Sequence, residues 1–94
     1  MLSISTFDKR DEVTAMRIPR DLSGHHLSEV LCKHWGYYRV HQTGSHIILN
    51  TELPFHQRIP VPNHNPVRLG TLNSILRDVS QHKGVSRDDI IRTL

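Results

Sequence analysis

The sequence predicts an α+β domain in which helices cover one face of a three-stranded antiparallel sheet. Three observations carry that reading. Leu27, Val30, Leu31 and His34, and later Leu72, Ile75, Leu76 and Val79, follow the i, i+3, i+4, i+7 spacing of one helix face. Between these stretches lie short runs rich in β-branched and aromatic residues. The chain has 94 residues, 36% hydrophobic and 22% charged. That makes one domain with a lean core, which favours two layers.

Residues 1–17 are polar, with scattered apolar positions and no sustained period. An irregular arm is expected there, followed by a folded domain over 18–94. Ser23 is a good N-cap for the first helix, and Gly36 ends it. Tyr37–Gln42 and Ser45–Asn50 flank Thr43-Gly44, which reads as a hairpin with a two-residue turn. That turn pairs Gln42 with Ser45, His41 with His46, and Val40 with Ile47. Alternation then puts Tyr38, Val40, Ile47 and Leu49 on the core face, and Tyr37, Arg39, His41, His46 and Ile48 on the open face. In Arg58-Ile-Pro-Val-Pro62 the prolines lie two apart, so both missing N–H groups point the same way. Only an edge strand tolerates this, and it pairs through Ile59 and Val61. After Gly70 a second helix runs toward Gly84. Ser86 with Asp89 resembles a capping box that opens a short last helix.

Charge is spread unevenly. The formal net charge is +3, and all of that excess falls within residues 56–94. A basic C-terminal half suits a polyanionic partner. The single cysteine, Cys32, excludes an internal disulfide and a cysteine-based zinc cage; its helical spacing reads as a small buried hydrophobe. No stretch reaches the roughly 18 apolar residues needed to span a bilayer, and the N-terminus lacks a secretory pattern. A cytoplasmic location and no membrane partner are therefore expected. Of the eight histidines, His25 and His26 diverge by about 100° on a helix, and His34, His56 and His82 lie in separate segments. His41 and His46 alone are expected to be neighbours, and two ligands are too few for zinc. No metal site and no cofactor are expected.

The order α-β-β-β-α is that of the double-stranded-RNA-binding fold, here with one extra C-terminal helix. Short motifs sharpen the comparison: Ser23-Gly24, Trp35-Gly36-Tyr37, Gly44-Ser45-His46, Val61-Pro62-Asn63-His64, and Gly70-Thr71-Leu72-Asn73-Ser74-Ile75-Leu76-Arg77. In this order and spacing they resemble the HicA (YcfA-like) family of toxin–antitoxin mRNA interferases over residues 18–94. The resemblance implies an endoribonuclease that cleaves single-stranded mRNA and is neutralised by a HicB-like antitoxin. It also implies that His46, the histidine of the Gly-Ser-His motif, is catalytic, with Gly44 and Ser45 positioning it. The second family histidine falls on His64. Where the family commonly carries basic residues, this chain has His41 and Thr43.

The residues' own chemistry runs in the same direction. Metal-free RNA cleavage uses the neighbouring ribose hydroxyl as nucleophile and needs a group to move protons, a role suited to histidine. His46 is expected beside a tight turn on the open face, with His41 across from it at roughly 4.5–5.5 Å between Cβ atoms. Arg39 and Tyr37 on that face would bind phosphate and stack on a base. Arg58 adds a further phosphate contact. Arg77, inside the family-like motif, is a better phosphate ligand than Arg68, which reads as a solvated charge. Trp35 reads as core or hinge packing. Two other classes stay open at this level: a non-catalytic RNA-binding module, and a protein-interaction module that only docks a partner.

Overall fold

A computed structural model describes residues 18–94; the arm expected over 1–17 lies outside the described residues. Six elements follow in the order α1 (Gly24–His34), β1 (Tyr38–Gln42), β2 (His46–Thr51), β3 (Gln57–Pro62), α2 (Leu69–Lys83) and α3 (Arg87–Ile91). The three strands form one antiparallel sheet with β2 at its centre. The architecture is α+β with the α-β-β-β-α order of the double-stranded-RNA-binding-like fold, extended by α3.

The helix ends follow the sequence signals. The Ser23 hydroxyl accepts from the His26 N–H at 3.0 Å. Trp35 caps the far end of α1, and Gly36 then takes φ +75°, a left-handed conformation that glycine adopts without steric cost. Gly84 closes α2 in the same region, at φ +69°. Ser86 and Asp89 form the reciprocal capping box that opens α3.

The core lies between the helices and one sheet face. Leu27 and Leu31 of α1, Ile47 and Leu49 of β2, Ile59 and Val61 of β3, and Leu72, Ile75, Leu76 and Val79 of α2 are buried together with Ile90 of α3. Cys32 and Trp35 pack against this cluster, and the Trp35 Nε1–H donates to the Thr93 hydroxyl at 3.0 Å. His34 is exposed, so the face of α1 narrows at its last turn. Pro60 and Pro62 stand opposite Ile48 and His46 on the edge strand, and Ile59 and Val61 carry the pairing.

The hairpin differs from its expected register. The Thr43 N–H donates to the His46 carbonyl at 2.8 Å, and the His46 N–H donates to the Thr43 hydroxyl at 2.9 Å. Gly44 and Ser45 therefore make the turn, and Gln42 and His41 face Ile47 and Ile48. A bulge then follows: Arg39 faces Leu49 and Tyr38 faces Asn50, which leaves Val40 as an extra residue. One inserted residue reverses the alternation of everything before it. His41 stays on the open face as expected, but not opposite His46. Tyr37, expected there, is 4% exposed and sits in the core, whereas Tyr38 is 47% exposed; Val40, expected in the core, is also exposed. Arg39, opposite the buried Leu49, turns to the helix side.

Candidate functional site

Loop 62–67 sets the geometry of the site, because its backbone is tied at three points. The Asn63 N–H donates to the Ser45 carbonyl at 2.8 Å, joining the end of β3 to the hairpin turn. The Gly24 N–H donates to the His64 carbonyl at 2.9 Å, joining the loop to the start of α1. The Val67 N–H donates to the Leu22 carbonyl at 2.8 Å. Gly24 is needed for this docking. A Cβ there would stand 1.9 Å from the Pro62 carbonyl oxygen, so only glycine lets the helix start approach the loop.

These ties bring His46, Pro62, His64, Arg68 and Thr71 around one pocket of about 160 Å³. His46 projects from the first residue of β2, and the Ser45 hydroxyl lies 3.0 Å from its Nδ1. With Nδ1 engaged, Nε2 is the ring nitrogen available for chemistry. Arg68 is the N-cap residue of α2, and its side chain makes no capping hydrogen bond. Its guanidinium and the unpaired N–H groups of the first turn of α2 give the pocket wall a positive character.

The other sequence-predicted residues are distributed as follows. Gly44 is in the turn and has open space where a Cβ would be. His41 is exposed on β1 and faces Ile48, a diagonal rather than an opposite neighbour of His46. Arg58 lies on the open face, its Nε–H donating to Asn50 Oδ1 at 3.2 Å. Asn50 is four residues along β2 from His46, which puts Arg58 roughly 13 Å down the sheet. Arg77 is exposed on α2, away from the pocket, and donates to the Ser74 hydroxyl at 3.3 Å.

Two sequence expectations are corrected here. Arg39 does not share a face with His46. It lines a groove with Glu29, Cys32 and Lys33 of α1, on the other side of β1. Tyr37 is not a stacking platform. Its hydroxyl bonds Gln57 and the Lys83 ammonium stands 4.8 Å from its ring centroid. Burial, followed by the nearby Asp78, pushes its hydroxyl pKa up to about 12. Both corrections come from the bulge at Val40.

Arg68 and Thr71 join the pocket although the sequence reading gave neither a site role. The available signal was position: Arg68 precedes the first turn of α2, where an anion-facing cation belongs, and Thr71 lies inside the Gly70–Arg77 motif. Among the described residues, His, Cys, Asp and Glu do not gather in groups of three that could hold a metal ion. No helix among those residues is long and apolar enough to cross a membrane.

A family model described as the HicA toxin of bacterial toxin–antitoxin systems matches residues 29–80. The matched span runs from the middle of α1 to the last turns of α2, and so includes His46, His64 and Arg68. No curated protein and no solved structure matches the chain.

Proposed function

Because the chain belongs to the HicA toxin family of bacterial toxin–antitoxin systems, we propose that it is a metal-independent endoribonuclease acting on single-stranded mRNA. The carrying observation is the pocket that gathers His46, His64 and Arg68 at the start of α2. His46, with its Nδ1–H donated to Ser45, takes the proton of a ribose 2′-hydroxyl on Nε2. The 2′-oxygen bonds to phosphorus, the bond from phosphorus to the 5′-oxygen breaks, and that oxygen takes a proton from the His64 imidazolium. The products are a 2′,3′-cyclic phosphate and a 5′-hydroxyl. Arg68 and the first N–H groups of α2 steady the charge that builds on the phosphate oxygens. Arg58 and Arg77 extend phosphate binding beyond the pocket, and His41 borders it on the open face.

The family implies an antitoxin partner, and we assign to it a HicB-like chain that blocks this face. A cytoplasmic location follows from an mRNA substrate.

The test is a cleavage assay on labelled single-stranded RNA with analysis of the new ends. Wild type is expected to give 5′-hydroxyl ends, with or without EDTA. His46→Ala is expected to lose about 10²–10⁴ in rate with an unchanged thermal midpoint. Full cleavage by a folded His46→Ala protein, 5′-phosphate ends, or cleavage that EDTA stops would overturn the mechanism.

A further inference from the structure

The far end of the open face holds a second cluster of polar side chains. Tyr38, Asn50 and Arg58 stand side by side across the three strands, since Tyr38 faces Asn50 and Asn50 faces Arg58. The exposed Tyr38 hydroxyl donates to Glu52, and Glu52 also receives His56 Nδ1 at 3.1 Å and 3.2 Å on its two oxygens. Those contacts, the tyrosine hydroxyl first, hold the Glu52 carboxyl below the usual carboxylate range. Asn50 Oδ1 is taken by the Arg58 Nε–H. Nothing in the pocket chemistry at His46 uses Tyr38, Asn50, Glu52 or His56.

We infer that this row is a base-selective subsite, for bases that carry an exocyclic amino group, in the single-stranded RNA cleaved at His46. The inference rests on the ribonuclease reading above and adds which bases the enzyme prefers. The Tyr38 ring offers an aromatic face on an open sheet, the kind of platform on which unpaired bases stack. An ionised carboxylate only accepts hydrogen bonds, and it has about four lone-pair sites. Tyr38 and His56 leave acceptor capacity on Glu52. Adenine, cytosine and guanine each carry an exocyclic amino donor, and uracil carries none. Glu52 therefore favours bases that carry an amino group over uracil, whose Watson–Crick edge offers it a single ring N–H between two carbonyl oxygens. Arg58 neutralises the adjoining phosphate. The row lies roughly 13 Å along β2 from His46, so the selected base belongs to a neighbouring nucleotide and not to the scissile bond.

The experiment measures binding by fluorescence anisotropy to 2′-O-methyl oligomers of adenosine, cytidine and uridine, which lack the attacking hydroxyl. Wild type is expected to bind the adenosine and cytidine oligomers more tightly than the uridine oligomer. Tyr38→Leu is expected to weaken all three by about ten- to a hundredfold. Glu52→Gln, which adds a donor, is expected to narrow the gap between cytidine and uridine. If wild type cleaves RNA but Tyr38→Leu binds all three oligomers as tightly as wild type, the subsite is overturned and the ribonuclease reading stands. If wild type shows no salt-dependent RNA affinity, both fall. If Tyr38→Leu loses the antitoxin but keeps its RNA affinity, the row is a protein contact and the inference is overturned.

Discussion

The two ends of the open sheet face are built by different means. At the His46 end, main-chain hydrogen bonds from Asn63, Gly24 and Val67 fix the loop, and the side chains turn into a pocket. At the Tyr38 end, side chains hold one another, through Tyr38 to Glu52, His56 to Glu52, and Arg58 to Asn50. Proton transfer is lost with small errors in position, so a reacting histidine is best held by backbone that cannot rotate. Recognition of a base tolerates adjustment, and a network of exposed side chains provides it. The comparison predicts that variants at the first end change rate, and variants at the second change preference.

The largest effect expected is that of His46→Ala against Glu52→Gln in one cleavage assay. The first loses about 10²–10⁴ in rate with the base preference of the residual cuts intact. The second shifts the distribution of cut sites. A shift in cut sites from His46→Ala would break the division. Next is Gly24→Ala, which forces a Cβ onto the Pro62 carbonyl. Urea unfolding is expected to show a loss of about 1–3 kcal/mol, and cleavage should fall further than the unfolded fraction explains, because the His64 loop moves. A third, smaller effect concerns salt. Arg68→Ala should make the slope of log K against log salt shallower by about 0.7 on single strands. Arg77→Ala, outside the pocket, should change it less.

The smallest effect separates the two neighbouring tyrosines, Tyr37 just before β1 and Tyr38 at its start. The Tyr37 hydroxyl is raised to about 12, above the value of about 10 for an unfolded tyrosine. Ionisation thus favours the unfolded chain. The stability that the neutral hydroxyl contributes is fully present below pH 10 and is lost as pH rises toward 12. Chemical denaturation across that range should show the fall in wild type and a shallower one in Tyr37→Phe. RNA affinity should be the same in both, which would confirm that the buried ring has no part in binding.

Most elements of the fold can be read from the sequence because their signals are local. The Ser23 cap, the Gly84 stop and the Ser86–Asp89 box each fix a helix end with a few neighbouring residues. The face of β2 is equally legible, since Ile47 and Leu49 must be buried and His46 alternates with them. The face of β1 is not. Its register depends on whether Thr43 closes the turn with its hydroxyl and on a bulge at Val40, and neither has a compositional signature. That single residue exchanges Tyr37 with Tyr38 and carries Arg39 to the helix side. The pocket is half legible: the resemblance points to His46 and His64, while Arg68 arrives through the tied loop 62–67, whose contacts with the hairpin turn and the start of α1 are tertiary.

The prolines of β3 have a consequence for self-association. Pro60 and Pro62 remove donors from the outer edge of the sheet, so a strand from another molecule finds no continuous ladder there. The proline-bearing margin is thereby protected against edge-to-edge growth. The other edge strand, β1, has no proline but is interrupted by the bulge at Val40.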